Sequence, residues 1–373
     1  MLYLDNSATT QVHPEVFQAM RPFLEEEYGN PSSKYYSLAE NAKRAVNKAR
    51  EHVARLLGCS PDEVVFTSGA TESNNFIIKG VADFYRDQGR HIITSSVEHP
   101  SVLETCRYLA ERGYKITFLD VDRYGRISLA ELEEKIKEDP PILVSILWGN
   151  NEIGSLNDIE GIAELCDRYH VFFHTDATQV VGKIPINLNE HRGIRFLSCS
   201  AHKLHGPKGV GAAVIRKHPD GFKTKLTPLL HGGGQENEYR SGTLAVHNIV
   251  GFGKAAEIAY ENLEENRAHL QELEDMCKEI LEEKLGDLMV YNNDQDNKIP
   301  GILSIQLKGI NNEMFIKKAA PYIAVSTGSA CSSGQPSHVL QAIGLSMEEV
   351  RSTIRISLSP MTRREELEIL REL

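Results

Sequence analysis

The stretch VFFHTDATQ at Val171–Gln179 decides the fold, because a short apolar run ends abruptly in charged and hydrogen-bonding side chains. The same pattern recurs in FLSCSAHK at Phe196–Lys203, where the apolar residues again come first and the polar residues last. Short runs of β-branched and aromatic residues bounded in this way predict buried strands. The two stretches therefore predict strands whose carboxyl ends carry polar side chains.

Comparable runs occur throughout the first half of the chain. Amphipathic stretches separate several of them, and the clearest is Leu38–Leu57, a predicted helix with Gly58 as its stop. Such alternation of strand and helix predicts an α/β fold with a mainly parallel sheet and helices on both faces. The strands predicted in this part are Glu63–Phe66, His91–Thr94, Ile142–Leu147, Val171–Phe173 and Phe196–Cys199.

The pattern changes after Val246, where a long, charged and largely helical span runs to Leu285. Two further short strands are predicted beyond it, at Gly301–Leu307 and Ile354–Leu358. We interpret the helical span as a bridge to a smaller α+β lobe at the C-terminus, since 373 residues exceed a typical single domain. The predicted division gives residues 15–250 to a large domain, and residues 1–14 and 251–373 to a smaller one.

Composition and charge exclude several classes of protein. The chain has 41 Lys and Arg against 52 Asp and Glu, a net charge of −11, which argues against direct binding of nucleic acid. The mean hydropathy of −0.32 is that of an ordinary globular protein. No apolar run approaches the roughly 18 to 20 residues that cross a bilayer, and no export leader is visible. These features predict a cytoplasmic protein without a membrane span.

The six cysteines are far apart and form no CxxC pair, a spacing that fits neither a zinc site nor a disulfide scaffold. No metal site is therefore predicted. Cys331 differs from the others because it lies in STGSACSSGQP at Ser326–Pro336, a loop of small residues that predicts an exposed, reactive thiol. The remaining thiols are predicted to be buried and inert: Cys59, Cys106, Cys166, Cys199 and Cys277.

Polar clusters follow five of the apolar runs. A single polar strand end is ordinary, because loops are polar, but in an open parallel sheet ligands bind beyond the carboxyl ends of the strands. Five such ends predict a common binding site. The clusters are Thr67–Thr71, Ser95–His99, Gly149–Asn151, His174–Gln179 and Ser200–Lys203.

Two residues of these clusters indicate the chemistry. Lys203 directly follows a buried strand, and an amine held in an apolar crevice can form a Schiff base with an aldehyde cofactor. Asp176 ends another buried strand and would suit a protonated pyridine nitrogen. Gly69–Asn74 opens a helix whose N–H groups would suit a phosphate. Alone, these are a surface lysine, a helix-capping aspartate and a helix start; together they predict pyridoxal 5'-phosphate.

The motifs in this order resemble cysteine desulfurases, which are fold-type I pyridoxal-phosphate enzymes of the class V aminotransferase group. The resemblance runs nearly end to end, and the extended GSACSSG loop is similar to the group with a flexible cysteine arm. The motifs that carry it are LDNSATT (Leu4–Thr10), TSGATES (Thr67–Ser73), NNEIG (Asn150–Gly154), DATQ (Asp176–Gln179), RSGT (Arg240–Thr243), GSAC (Gly328–Cys331) and IRISL (Ile354–Leu358).

The resemblance implies a role for each cofactor-binding residue. Lys203 would hold the cofactor through a Schiff base, and Asp176 would pair with the pyridine nitrogen. Gln179 would donate to the phenolic oxygen of the ring, near Asn151, and His99 would stack on the ring and transfer protons. The phosphate would be bound by Ala70, Thr71, Ser200 and His202, with Thr243 reaching in from the second subunit of a homodimer.

The resemblance also implies the reaction. Arg355, with Asn151, would bind the carboxylate of L-cysteine, Arg355 as a bidentate fork. His99 would remove the substrate's thiol proton. Cys331 would take the sulfur as a persulfide and leave L-alanine. An acceptor protein would then receive the persulfide sulfur for iron–sulfur assembly, tRNA thiolation or DNA sulfur modification. The sequence Lys34–Tyr36 departs from the pattern at the mouth of the site.

Two alternatives remain open from the sequence. Within the same enzyme group, the chain could be a selenocysteine lyase or a small-amino-acid aminotransferase, and the latter would not need Cys331. From another class, it could be a non-catalytic assembly partner that binds a metal or cluster, although the cysteine spacing argues against this.

Overall fold

The computed structural model describes residues 1–218, 220–328 and 336–372. In chain order the strands are β1 (Leu2–Tyr3), β2 (Val64–Thr67), β3 (His91–Ser95), β4 (Lys115–Leu119), β5 (Leu143–Ser145), β6 (Phe172–Asp176), β7 (Ile194–Ser200), β8 (Gly211–Ile215), β9 (Met289–Tyr291), β10 (Ile302–Leu307), β11 (Ile323–Ala324) and β12 (Thr353–Ser357).

Helices surround these strands, and none of the described helices is long and apolar enough to cross a membrane. They are α1 (Pro14–Met20), α2 (Pro22–Glu25), α3 (Ser37–Leu57), α4 (Ala70–Phe84), α5 (Pro100–Ala110), α6 (Leu129–Glu138), α7 (Ile159–Arg168), α8 (Val246–Glu261), α9 (Leu263–Leu285), α10 (Asn312–Ala319), α11 (His338–Ala342) and α12 (Met347–Val350). Short 3₁₀ segments lie at Pro61–Glu63, Ala201–Lys203, Glu236–Glu238, Gly286–Leu288 and Arg364–Glu372.

The first part of the chain forms a seven-stranded sheet in the order β2-β8-β7-β6-β5-β3-β4. Its pairings are parallel from β7 to β4, whereas β8 runs antiparallel to both of its neighbours, β2 and β7. The predicted α/β fold with a mainly parallel sheet is therefore confirmed. All five strands predicted in this part are present, with their ends shifted by a few residues.

Of the seven strands of the large sheet, the sequence analysis missed β4 and β8; outside it, β1, β9 and β11 were also not predicted. The β8 sequence, GAAVI, begins with small residues of low strand propensity, so it lacks the run of β-branched and aromatic residues from which the other strands were predicted. The structure gives a packing reason for the glycine. A Cβ at Gly211 would lie 2.4 Å from the carbonyl oxygen of Cys199 and 2.7 Å from the Cα of Gly69. The small residue thus lets the loop that opens α4 approach β7 closely.

The long helical span after Val246 is two helices, α8 and α9, which meet at Asn262. The apolar face of α8 packs against α3 in the core of the seven-stranded sheet; Phe252 is fully buried there, and a Cβ at Gly253 would meet the Cα of Ala49 at 2.4 Å. The domain boundaries stay a prediction. This packing favours a boundary near Asn262 over one at 250/251, which would divide α8.

The C-terminal part has its own antiparallel sheet, β12-β10-β9, and a second hydrophobic core to which α9 contributes. Strand β1 pairs with β11, so the N-terminus joins this part of the fold. The chain then crosses to the large sheet, where the Thr10 N–H donates to the carbonyl of His202 at 2.9 Å. The N-terminal segment, residues 4–13, therefore links the two sheets beside the turn that carries Lys203.

Candidate active site

A cavity of about 550 Å³ lies beyond the carboxyl ends of the strands of the large sheet. It gathers most of the side chains that the sequence analysis selected: Ala70, Thr71, His99, Asn151, Asp176, Gln179, Ser200, His202, Lys203 and Arg355. Thr243 is exposed and lies apart from this lining. Cys331 lies outside the described residues. The individual roles assigned to these residues stay predictions.

Asp176, at the end of β6, has a donor on each carboxylate oxygen. Asn74 Nδ2 donates to Oδ2 at 2.8 Å, and the Thr178 N–H donates to Oδ1 at 3.0 Å. The side chain is buried, and two donated hydrogen bonds stabilise a negative charge there. The carboxylate is thus oriented and charged in a way that suits a cationic ring nitrogen.

Ser101 determines where the proton of His99 resides, and Asn74 orients the Ser101 hydroxyl. The Asn74 amide can present only N–H groups to Asp176, so the second hydrogen of Nδ2 goes to Ser101 Oγ, at 2.9 Å. Ser101 therefore directs its own hydroxyl hydrogen, together with its backbone N–H, to His99 Nδ1, at 2.8 Å and 3.1 Å. Burial lowers the pKa of His99, and nearby Asp176 only partly opposes this. The neutral ring then carries its proton on Nε2.

The proposed phosphate end of the cavity is built from the first turn of α4 and the end of β7. Gly69 precedes the helix at φ +150°, a conformation that side chains rarely adopt, and its N–H-rich turn includes Ala70 and Thr71. Burial lowers the pKa of His202 to about 4, with help from the charges of Lys203 and Lys208. The lining here offers N–H and O–H donors and the ammonium of Lys208, which suit an anion, while the Glu72 carboxylate is paired with Arg240.

Lys203 lies in the 3₁₀ turn that follows β7, and its amine faces the N-terminal segment. Nζ donates to the carbonyl oxygens of Ser7 and Ala8, the latter at 2.7 Å. Sequence reasoning missed this part of the site. The LDNSATT motif was a usable indication, because such a polar segment near a chain start had no other assigned task.

Arg355, on β12, closes the other end of the cavity and is almost completely buried. Nη1 donates to the carbonyl oxygens of Asn151 and Gly328, at 2.8 Å and 3.1 Å, and Nη2 donates to Asp5 Oδ1 at 2.6 Å. Nε has no acceptor among the described residues. The guanidinium is therefore held rigidly by other groups and keeps a buried donor for a carboxylate. Asn151 contributes its backbone carbonyl to this arrangement.

Two buried acids and a histidine were not assigned a role from the sequence. Glu98 Oε1 accepts from Ser95 Oγ at 2.7 Å, and burial raises the pKa of Glu98 to about 8. His338 lines the cavity, with Nε2 2.9 Å from the carbonyl of Glu98. Burial also raises the pKa of Glu152, which accepts a hydrogen bond from Ser337 Oγ. Glu98 was visible in the Ser95–His99 cluster, whereas His338 follows the cysteine loop without any strand-end pattern.

The lining fits pyridoxal 5'-phosphate. The cavity has the size of a cofactor site, and it offers an amine, a buried carboxylate with fixed oxygens and an end rich in hydrogen-bond donors. Each of these groups matches one part of the cofactor: the aldehyde, the ring nitrogen and the phosphate. Nε of Arg355, which has no acceptor in the described part of the chain, suits the carboxylate of an amino-acid substrate.

Comparisons with known proteins agree with this geometry. A family model described as aminotransferase class-V matches residues 2–370. A relative from Neisseria meningitidis serogroup A / serotype 4A, named cysteine desulfurase IscS, is 44% identical over 375 residues, which cover 100% of this chain and 91% of that protein.

Solved structures show the same architecture. One described as a NifS-like protein has a TM-score of 0.91 and 38% identity, and the match covers 100% of this chain and 97% of that one. Another, described as SspA in complex with cysteine, has a TM-score of 0.85 and 38% identity, and the match covers 97% of this chain and 100% of that one. The chain belongs to the class-V aminotransferase family. Its place within that family is with the pyridoxal-phosphate-dependent cysteine desulfurases, which confirms the family predicted from the sequence.

Proposed function

We propose that the chain converts L-cysteine to L-alanine and transfers the sulfur to Cys331 as a persulfide. The observation that supports this most is the meeting of Lys203, Asp176 and Arg355 in one cavity, where Nε of Arg355 has no acceptor among the residues that the structure describes. An aminotransferase or a selenocysteine lyase would use the same three residues. The desulfurase reaction is favoured because the relatives that match the whole chain carry that name.

The residues of this chain prepare the substrate for bond cleavage. Bound at this site, pyridoxal phosphate supplies an electron sink for negative charge at the substrate Cα. Arg355 orients the substrate carboxylate, and Lys203 Nζ takes the Cα proton. Asp176 holds its negative charge where the ring nitrogen would lie. His99 begins with its proton on Nε2 and with Nδ1 bound by both the Ser101 hydroxyl and the Ser101 backbone N–H, so it accepts the thiol proton at Nδ1 only after the ring moves away from both donors.

The sulfur transfer balances without an external oxidant. The C–S bond of the substrate cysteine breaks, and an S–S bond forms between the same sulfur and Cys331. The substrate Cβ gains one proton to become the methyl group of alanine, and the two thiols together supply the hydrogens. The products are L-alanine and one persulfide.

The test is to supply L-cysteine to the cofactor-loaded enzyme and measure both products. Alanine should form, and mass spectrometry of peptides should find one added sulfur atom on Cys331. Replacing Cys331 with Ser should abolish the persulfide without changing cofactor binding. Cys59→Ser is the matched control, because Cys59 is the least buried of the other thiols and burial raises its pKa. Persulfide on another cysteine, or alanine formation unchanged in Cys331→Ser, would overturn the proposal.

A homodimer in which Thr243 completes the partner's phosphate site is part of this proposal. Arg240 Nε donates to Glu72 Oε1 at 2.8 Å, which anchors the segment near the start of α4, while Thr243 remains exposed. Mixed dimers of Lys203→Ala and Thr243→Ala chains test it. One site of each hybrid would then combine Lys203 with a partner's Thr243 and bind cofactor tightly, whereas unmixed Thr243→Ala would bind it more weakly. The cytoplasmic location and the acceptor protein also remain proposals.

A further inference from the structure

Lys183 is a half-buried lysine to which the reaction described above gives no role. It lies in the turns that follow β6, directly after Gly182, whose φ is +77°. It lines a second cavity of about 170 Å³ that it shares with Lys203. The charged groups that act on it, Lys203 and Arg355, are both positive. Lys183 therefore lies where a positive charge is disfavoured.

The partner of Lys183 is the side-chain amide of Gln179. Lys183 Nζ donates to Gln179 Oε1 at 3.1 Å. On the other side of the amide, Gln179 Nε2 donates to the carbonyl oxygen of Ser7 at 2.9 Å, the same oxygen that accepts from Lys203. The amide oxygen therefore faces a donor and the amide nitrogen faces an acceptor, which fixes one of the two possible amide orientations.

This orientation has a chemical consequence for the main cavity, which Gln179 also lines. The amide nitrogen has two hydrogens, and Ser7 takes one of them. The other is available to an acceptor in the cavity. Turned the other way, the amide would present an oxygen there and would repel a negatively charged ring oxygen.

We propose that Lys183 is a positioning residue that holds the Gln179 amide so that it donates to the phenolic oxygen of the bound cofactor. This inference rests on the proposed function, because it requires pyridoxal phosphate in the main cavity. It assigns Lys183 no contact with substrate or cofactor. Lys183 acts through Gln179 alone.

The hydrogen bond does not depend on the charge of Lys183. Burial lowers the pKa of Lys183 to about 7, and the charges of Lys203 and Arg355 add to the effect. His13 and His205 also line the second cavity, and burial lowers the pKa of His205 to about 4. Both the ammonium and the neutral amine carry N–H groups, so each can donate to Gln179 Oε1.

The experiment is a pH titration of the visible absorption of the bound cofactor. A hydrogen bond donated to the negative ring oxygen favours the state that has lost its proton. In Lys183→Met, which has similar length but no donor, the apparent pKa of the absorption should rise by about one unit. Lys183→Arg keeps donors and should restore most of the wild-type value. The second cavity gives the longer side chain room.

A double-mutant cycle with Gln179→Ala separates positioning from a direct charge effect. If Lys183 acts through Gln179, adding Lys183→Met to Gln179→Ala should shift the apparent pKa no further. An equal shift in both backgrounds would show that Lys183 acts as a charge, and no shift in either would show that it has no effect on the ring. Both results overturn the inference.

Failure of the inference is distinguishable from failure of the proposed function. A wild-type protein that acquires no visible absorption with pyridoxal phosphate contradicts the proposed function itself. A wild-type titration that is normal, with variants that match it, contradicts only the role of Lys183. Thermal unfolding of each variant without cofactor shows whether a change in the titration merely reflects a damaged fold.

Discussion

The two ends of the main cavity are built in different ways. At the cofactor end, Asp176 ends β6, Asn74 lies in α4 and Ser101 begins α5, so a few hydrogen bonds between elements of one sheet fix the geometry. At the substrate end, Arg355 is held by Asp5 and Gly328, which belong to chain segments far apart. The cofactor end thus depends on one sheet, whereas the substrate end depends on how the second sheet and the N-terminal segment pack against it.

The difference separates two kinds of kinetic effect. A change at the cofactor end alters groups that act on the reacting atoms, so it should lower kcat. A change at the substrate end alters binding of the carboxylate, so it should mainly raise KM. The following predictions test this separation.

The largest effect is expected for Lys203→Ala. It removes both the amine that would hold the cofactor and the base for the Cα proton, so alanine formation should fall by at least about 10³-fold. The measurement is alanine released from L-cysteine at saturating cofactor. Lys217→Ala is the control, because Lys217 lies outside the cavity and pairs with Asp62 at the surface. A loss smaller than tenfold in Lys203→Ala would remove this residue from the chemistry.

The next effect is expected at the substrate end. Arg355→Lys replaces a planar fork with a point charge that cannot hold Asp5 and a carboxylate together. KM for L-cysteine should rise by about 10- to 100-fold, with a smaller change in kcat. Asp5→Asn keeps an acceptor for Nη2 and should raise KM only a few fold. A fall in kcat without a rise in KM would contradict the placement of Arg355 at the substrate carboxylate.

A smaller effect is expected at the cofactor end for Asn74→Leu. It removes the donor to Asp176 Oδ2, so only Oδ1 is still held, by the Thr178 N–H, and it frees the Ser101 hydroxyl, so His99 Nδ1 keeps the Ser101 backbone N–H as its one certain donor. We expect kcat to fall about tenfold, with a changed pH profile. Asn75→Leu is the matched control, because Asn75 donates only to the backbone of Thr71. Equal effects of the two variants would show general helix damage.

The smallest effect on activity is expected for Glu98→Gln, which instead changes stability. Burial raises the pKa of Glu98 to about 8 in the folded protein, above the ordinary ~4.3 of the unfolded chain. The contribution of this carboxyl to the free energy of unfolding is therefore fully present below about pH 4 and is lost as the pH rises through about 8. Between about pH 5 and about pH 8.5 the free energy of unfolding of the wild-type protein should therefore fall by on the order of 3 kcal/mol because of this carboxyl. Urea unfolding of Glu98→Gln at the same two pH values should not show this fall. Parallel pH profiles for the two proteins would contradict a raised pKa.

Much of the cofactor end could be predicted from the sequence, because polar clusters after apolar runs become neighbours once the strands are parallel. Asp176 and Lys203 were found in this way. The partners of these residues were not found, since Asn74 looks like any helix residue and Ser7 lies 196 positions before Lys203. Arg355 and Asp5, which form an ion pair, lie near opposite ends of the chain, and no local sequence pattern predicts such a contact.

The fold shows the same limit. Runs of large apolar residues revealed β3, β5, β6 and β7, whereas β8 was missed because its small residues fill a crowded place between β2 and β7. The helical span after Val246 was recognised, but its division at Asn262 was not, because both halves are helical and only their packing partners differ. Local pattern thus predicted the elements, and long-range packing determined their detailed arrangement.

The central claim is that the amine at position 203 binds the aldehyde of pyridoxal phosphate. Reduction of the cofactor-loaded protein with borohydride, followed by peptide mass spectrometry, tests it most directly. The account predicts a stable pyridoxyl group on Lys203. A group found instead on Lys183, whose amine adjoins the same site and has a pKa lowered by burial to about 7, would contradict it.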